Sequence, residues 1–141
     1  MAAIKPRGVH SRQSHPVLHF QMISRDPDAS TSFYSKLFGW SVQPPDPMGF
    51  RPLSTGSEQG IGGGIWPAPP EITPFIQLFI GTDDVAASVA EALALGAKVE
   101  IPAIVLPSGD ELAVLHDPLG MPFGLWQRAG SNKNKIINAS G

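Results

Sequence analysis

His19 and Gln77 are the polar side chains whose type and position best suit them to recognise a ligand. Each lies within an apolar run, VLHFQMI at 17–23 and FIQLFI at 75–80. An imidazole and a carboxamide each offer a hydrogen-bond donor and an acceptor, so both could orient one small molecule. The chain contains no cysteine, and spacing alone builds no Ser-His-Asp set. These residues therefore favour binding over nucleophilic catalysis.

The stretch 17–40 predicts the elements that position His19. Alternation along a strand places His19 and Gln21 on one face and Leu18, Phe20 and Met22 on the other. A helix follows, with Asp26 as its cap, Pro27 at its first position and Gly39 at its end. The apolar stripe of this helix should pack against the apolar strand face; it consists of Ala29, Phe33 and Leu37.

The stretch 75–99 repeats this plan. The offset between Asp26 and Asp84 is 58, and the same offset places His19 on Gln77. In this copy Ile76, Leu78 and Ile80 should face the helix, which is lined by Val85, Val89 and Leu93 and closed by Gly96. An internal duplication constrains the fold more strongly than any single propensity.

Short strands should complete each copy, at 40–43, 50–55 and 61–66 and then at 100–106, 111–116 and 122–127. The glycine-rich IGGGI at 61–65 is not a phosphate loop, because no Lys-Ser or Lys-Thr follows it. The predicted layout is an arm at 1–16, one domain at 17–127 (modules 17–66 and 75–127 around a linker at 67–74) and a tail at 128–141.

Three stretches together resemble the vicinal oxygen chelate superfamily: LHFQM with RDPDASTSFYSKLFGW, then TDDVAASVAEALALGAKV, then LAVLHDPLGMPFGLWQ. This superfamily includes glyoxalase I, bleomycin-resistance proteins, fosfomycin-resistance enzymes and extradiol dioxygenases, and the chain is most similar to small glyoxalase-like proteins. The resemblance implies an α+β fold of two βαβββ modules. Their curved mixed sheets would form a ligand cup, with helices on the convex side. The fold hosts many reactions and does not select one.

The resemblance also implies where a divalent metal would bind. His19 matches the first ligand position and Gln77 the second, but the third falls on Gly124. The strand that supplies a fourth ligand in glyoxalase I reads IGGGI here, with no carboxylate or imidazole. One imidazole and one amide oxygen are too few for tight binding, so these are expected to be vestigial positions without a metal cofactor. Glu58, His116 and Gln127 could be proposed as substitutes, but we expect them at the surface.

Alternation predicts a concave face rich in aromatic residues, on which Val17 and Gly124 should also lie. Such a face could be a small-molecule pocket, or its aromatic rings could simply fill the cup as core, and the sequence leaves both open. The candidate ligand-binding residues are His19, Gln21, Phe50, Trp66, Phe75, Gln77, Phe79 and Trp126.

The distribution of charge along the chain limits the kinds of ligand and partner that it could bind. Residues 17–127 carry four basic and twelve acidic residues, a formal charge of −8, while the ends are basic. An acidic body favours neutral or cationic ligands, and the sparse basic ends do not indicate nucleic-acid binding. The sequence shows no bilayer-spanning segment and no signal-peptide-like apolar run at its start, so we expect a cytoplasmic protein. The resemblance adds an expected homodimer.

Two functions remain. The first is a protein of the bleomycin-resistance kind that binds a neutral or cationic aromatic molecule without a tightly bound metal. The alternative is a metal-dependent lyase, isomerase or dioxygenase with an atypical ligand set, and the sequence does not decide whether the chain is an enzyme. Glyoxalase and fosfomycin-type reactions use anionic substrates, and the last strand carries no basic residue. We therefore favour binding.

Overall fold

The structure, a computed structural model, describes residues 14–130 of the chain. This range contains two successive βαβββ modules, which confirms the expected α+β class. The predicted arm at 1–16 and tail at 128–141 lie mostly outside the described residues. The elements are, in chain order, β1 (Val17–Ser24), α1 (Pro27–Phe38), β2 (Ser41–Val42), β3 (Arg51–Ser54), β4 (Gly62–Pro67), β5 (Phe75–Gly81), α2 (Val85–Ala94), β6 (Lys98–Val105), β7 (Glu111–His116) and β8 (Pro122–Gln127).

The eight strands form one open mixed sheet in the order β2-β3-β4-β1-β5-β8-β7-β6. Within each module the first strand lies parallel to the last, β1 beside β4 and β5 beside β8. The modules meet where β1 pairs antiparallel with β5 at the centre of the sheet. We call this pairing the central seam.

The register of the central seam confirms the predicted duplication. Phe20 pairs with Leu78, which lies 58 positions later, so the pseudo-two-fold axis of the molecule passes through this pair. The hydroxyl pair Ser24–Ser30, at 2.6 Å, recurs at the same offset as Thr82–Ser88, at 2.7 Å. The second hydroxyl pair shows that the repeat extends to the strand–helix corners, which the sequence pattern had not indicated.

Both helix starts follow the predicted capping. Asp26 Oδ1 accepts a hydrogen bond from Ala29 N, Pro27 occupies the first turn, and Gly39 ends the helix with φ of 74°. In α2 the carboxylate of Asp84 accepts from Ala87 N at 3.0 Å. These bonds satisfy backbone N–H groups that a helix start leaves without partners.

Each helix covers a separate apolar cluster on the convex side of the sheet. Beneath α1 lie Met22, Leu53 and Ile65, with Tyr34 and Trp40 packed at the edge. Val85 at the start of α2 packs on Ala113, Leu115 and Leu125 of the sheet. Fully burying a side chain of this size contributes about 1.5–3 kcal/mol, so both clusters stabilise the helix–sheet packing.

The predicted packing of the α1 stripe is wrong. Phe33 is 56% exposed and Leu37 57% exposed. The helix turns Tyr34 and Ser30 inward instead, and Arg51 on β3 binds the exposed Asp28 at 2.8 Å. A repeat of apolar residues shows which side chains share a helix face, but it does not show which face meets the sheet.

The second strand of the seam is also less covered than predicted. Ile76 is 55% exposed and Leu78 45% exposed, although the alternation placed both under a helix. The reason is that α1 contacts β2 and β4, and α2 contacts β6, β7 and β8, which leaves the convex side of β5 between them. Within residues 14–130, no helix is long and apolar enough to span a membrane.

Candidate functional site

The concave face of the second module is a packed apolar cluster. Its buried members come from four strands or strand ends: Phe79, Leu106, Leu112, Val114 and Trp126. Phe79 is 3% exposed and Trp126 is 5% exposed, and their rings meet edge to face with centroids 5.3 Å apart. At these two positions the interpretation as core fits the geometry better than the interpretation as a ligand surface.

His19 lies against this cluster. Its ring centroid is 4.3 Å from that of Trp126 and 5.5 Å from that of Phe79. Gln21 Nε2 donates a hydrogen bond to His19 Nδ1 at 3.0 Å, and in this arrangement the neutral imidazole carries its proton on Nε2. Burial, reinforced by the charge of Arg128 and opposed by that of Asp110, lowers the pKa of His19 from 6.5 to about 4. The imidazole is therefore uncharged at neutral pH.

Gln21 and Gln77 face one another across the central seam as direct Cα partners. They are 1% and 3% exposed. Gln21 Oε1 and Gln77 Nε2 are both buried and have no hydrogen-bond partner among the described residues. Two complementary polar atoms thus lie unpaired on the concave face beside His19.

Glycines on β4 and β8 admit aromatic rings to the concave face. A Cβ on Gly124 would overlap the Phe79 ring, and a Cβ on Gly64 would overlap the Phe50 ring and come within 2.6 Å of Gln21 Oε1. The two glycines occupy equivalent positions in the two modules. Gly64 pairs with Gln21 and Gly124 pairs with Phe79, and Phe79 lies 58 positions after Gln21. The Phe79 ring therefore occupies the space that a metal-coordinating side chain at position 124 would need.

The other predicted site residues lie apart from His19 or at its margin. Phe50 and Trp66 are half-buried and stack on each other with centroids 5.0 Å apart. Phe75 is 37% exposed and lines a groove of about 400 Å³ beside the start of α1, away from the Phe79–Trp126 cluster. Val17 is 41% exposed, and a register shift next to it lets Leu18 pack against the concave cluster, which corrects the alternation predicted for Leu18.

Asp110 is a concave-side residue that the sequence did not single out. Its carboxylate accepts hydrogen bonds from Trp126 Nε1 and from Ala129 N, both at 2.8 Å. This contact fixes the edge of the Trp126 indole. The turn sequence Pro107-Ser108-Gly109-Asp110 was visible, but a contact across 16 residues carries no local signal.

The residues present do not fit a tight metal site. Residues 14–130 contain no group of three or more His, Cys, Asp or Glu side chains placed to hold an ion. Of the positions implied by the family, His19 uses Nδ1 to accept from Gln21 and Gly124 is covered by Phe79. Among the proposed substitutes, Glu58 is exposed and His116 is half-buried 3.5 Å from Glu100.

Gln127, the third proposed substitute, is not the surface residue that we expected. It is 9% exposed, and its Oε1 accepts from Val85 N at 2.9 Å. This side chain caps the start of α2 from the last strand, so its oxygen is already engaged. A long-range cap of this kind cannot be recognised from local sequence.

Comparison with known proteins agrees with this geometry. A family model described as a glyoxalase-like domain matches residues 18–126. "Putative glyoxylase CFP32" of Mycobacterium tuberculosis (strain CDC 1551 / Oshkosh) is 30% identical over 123 residues, which are 82% of this chain and 47% of that protein. The protein of the same name from Mycobacterium bovis matches equally. The chain spans about half the length of these curated relatives.

Solved structures share the fold at lower identity. The hypothetical protein BH1468 from Bacillus halodurans C-125 has a TM-score of 0.62 and 15% identity, covering 82% of this chain and 96% of that chain. Methylmalonyl-CoA epimerase from Mycobacterium tuberculosis has a TM-score of 0.60 and 17% identity, covering 86% and 91%. These likenesses are to the fold alone. The paired modules, the central seam and the family match together show that the chain belongs to the glyoxalase-like domain family of the vicinal oxygen chelate superfamily.

Proposed function

We propose that this chain binds a neutral or cationic ring-bearing small molecule on its concave face, without a tightly bound metal. The observation that carries the proposal is the neutral imidazole of His19, held against Trp126 and Phe79 and hydrogen-bonded through Nδ1 to Gln21. In this tautomer Nε2–H is a donor that orients a ligand acceptor. The partly exposed, mutually stacked rings of Phe50 and Trp66 supply ring contacts to the ligand, each worth on the order of 1 kcal/mol beyond burial.

The electrostatics favour an uncharged or cationic ligand. With its pKa lowered to about 4, His19 offers no positive charge to an anion at neutral pH. The body at 17–127 carries twelve acidic residues against four basic ones, which draws in cations and repels anions. A ligand carrying several phosphates or carboxylates would have to overcome this field.

The metal-dependent alternative ranks below this proposal because of its donor set. A ligand set needs about three protein side chains, whereas the superfamily positions here supply His19, Gln77 and a glycine. Elemental analysis of protein purified without added metal or chelator should find far less than one Zn, Mn, Fe or Ni per chain. A stoichiometric metal that His19→Ala abolishes would contradict the proposal.

The binding test uses matched ring compounds that differ in charge. We expect quinoline and 1-methylquinolinium to bind more tightly than quinoline-2-carboxylate in calorimetry and to quench tryptophan fluorescence. Trp66→Phe should remove part of the quenching, whereas Trp40→Phe should not, because Trp40 packs on the convex side with Phe20. Tightest binding of the carboxylate would refute the charge argument.

We also propose that the chain forms a homodimer. The convex side exposes Phe33, Leu37, Ile76 and Leu78, each 45% or more exposed. Monomeric proteins rarely leave large contiguous apolar patches exposed, and a second copy would cover this one symmetrically. Sedimentation should give a dimer at tens of micromolar, as an order of magnitude for such interfaces. Leu37→Ser with Ile76→Ser should shift it to monomer, and a wild-type monomer would contradict this part.

A further inference from the structure

Two buried side chains on the concave face point to a chemical group that no relative's description assigns. Gln21 and Gln77 are more than nine-tenths buried, and each has a buried amide atom without a partner among residues 14–130. The unpaired atom of Gln21 is an acceptor, Oε1, and that of Gln77 is a donor, Nε2. Folded proteins pair the great majority of buried polar atoms, so two adjacent exceptions require an explanation.

In the folded chain both atoms are left without a partner among residues 14–130. Gln21 Nε2 already donates to His19 Nδ1, so its Oε1 is the free end of the amide. Rotating the Gln21 amide would place Oε1 on a protonated Nδ1 and leave Nε2 unpaired instead. The two glutamines are direct partners across the seam, yet they make no hydrogen bond with each other. One donor and one acceptor therefore remain unpaired on two residues that are direct partners across the seam.

We propose, resting on the proposed function, that Gln21 and Gln77 together recognise a lactam or primary carboxamide on the ring-bearing ligand. The ligand carbonyl would accept from Gln77 Nε2–H, and the adjacent ligand N–H would donate to Gln21 Oε1. A cis-amide presents this acceptor–donor pair on one edge, which complements the two unpaired atoms. A carboxylate, ester or ketone offers the acceptor without the donor.

The ring of Phe50 lies beside Gln21 Oε1. Its ring edge and Gln21 Oε1 both lie against the position that a Cβ on Gly64 would occupy. Phe50 is only half-buried and stacks on the half-buried Trp66, whereas Phe79 at the equivalent glycine is 3% exposed. A ligand therefore reaches the amide pair by displacing Phe50, and stacking on Trp66 replaces the lost ring contact.

The test uses three bicyclic compounds of nearly the same shape. 2-Quinolone has a ring carbonyl beside an N–H, coumarin has the same carbonyl beside a ring oxygen, and quinoline has neither the carbonyl nor the N–H. We expect 2-quinolone to bind about tenfold more tightly than coumarin, since coumarin sets two acceptors against each other. Quinoline should bind more weakly than 2-quinolone by at least the same factor.

Two variants separate the roles of the glutamines. Gln21→Met should abolish the preference for 2-quinolone over coumarin, because the partner of the ligand N–H is removed. Gln77→Met should weaken both carbonyl compounds about equally and leave their ratio unchanged. The matched control is Gln59→Met, at an exposed glutamine before β4, which should change neither affinity.

The outcomes distinguish this inference from the proposed function. Equal binding of 2-quinolone and coumarin by the wild-type chain would overturn the amide-recognition inference and leave small-molecule binding intact. Failure of all three compounds to bind would overturn both. A preference that survives Gln21→Met would also overturn the inference, and the wild-type comparison still decides if a variant does not fold.

Discussion

The two halves of the concave face are built on equivalent positions and differ in what fills them. Gln21 pairs with Gly64 in the first module, and Phe79 pairs with Gly124 in the second. The ring over Gly124 is a buried core residue, while the ring over Gly64 is the half-buried Phe50. The same backbone thus supports a closed apolar half and a half in which a partly exposed ring lies beside a buried amide.

The difference teaches that a duplicated fold need not duplicate its site. Filling the second half with Phe79, Leu112 and Trp126 removes it as a ligand surface but supplies core to a small domain. That core fixes His19, which contacts both Phe79 and Trp126. One half therefore acts as the rigid support for the other.

The largest expected effect is a loss of stability, and it should differ between substitution of Phe79 and substitution of Phe50. Phe79→Ala should lower the free energy of unfolding by about 3–5 kcal/mol, since it empties a buried cluster. Phe50→Ala should lower it by roughly 1–2 kcal/mol, because part of the Phe50 side chain already faces water. Chemical denaturation of both variants measures the contrast, and equal losses would contradict the division into a core half and a covered half.

A smaller effect should appear at the two glycines. Gly124→Ala forces a Cβ into the buried Phe79 ring and should cost about 1–3 kcal/mol of stability. Gly64→Ala pushes against the partly exposed Phe50 ring and against Gln21 Oε1, and we expect it to cost less than Gly124→Ala, about 1–2 kcal/mol, because the Phe50 ring is less buried than that of Phe79. Its larger consequence should be altered ligand affinity. If Gly64→Ala proved the more destabilising change, Phe50 would be as fixed as Phe79.

The hydrogen bond from the Trp126 indole to Asp110 should contribute to stability an amount comparable to, or smaller than, the cost of the glycine substitutions. Asp110→Ala removes the acceptor of the Trp126 indole N–H and of Ala129 N, which should cost about 1–3 kcal/mol. The indole should also become more mobile, visible as lower fluorescence anisotropy in a Trp40→Phe, Trp66→Phe background. Asp46→Ala, which removes an acceptor from the Phe50 backbone N, is the matched change in the first module. Unchanged stability and anisotropy in Asp110→Ala would show that packing alone holds the ring.

A further expected effect is a dependence of stability on pH. The pKa of His19 is about 4 in the folded chain and near 6.5 when unfolded, so the unfolded state binds more protons between these values. The contribution of His19 is therefore complete above pH 6.5 and declines as the pH falls toward 4. Urea midpoints at pH 7 and pH 5 should differ less in His19→Gln than in the wild type. His116→Gln, at a half-exposed position, is the control.

Local signals predicted the fold well. The capping residues Asp26 and Asp84 lie where expected, and the offset of 58 reappears in the register of the central seam. β7 and β8 have the predicted bounds. These features depend on residues close together in the sequence or on the repeat itself, so they can be predicted from the sequence alone.

The site was less accessible to the sequence. Alternation placed His19, Gln21 and Gln77 on one face but could not show that Phe79 covers Gly124 or that Gln127 caps α2. Phe33 shows the same limit. The apolar repeat correctly placed Phe33 in a helix, but the prediction that the sheet covers it was wrong. Contacts between distant segments decide such questions, and a single sequence does not record them.

The central seam also sets the order in which the chain can fold. β1 is complete at Ser24, but its partner β5 ends at Gly81, 57 residues later. At a synthesis rate of 5–20 residues per second, roughly 3–11 s separate the two strands at the ribosome. During that interval the β5-facing edge of β1 has unpaired backbone groups, while β4 can already pair with its other edge. The nascent first module is therefore the stage at which this protein is most exposed to mispairing with another chain.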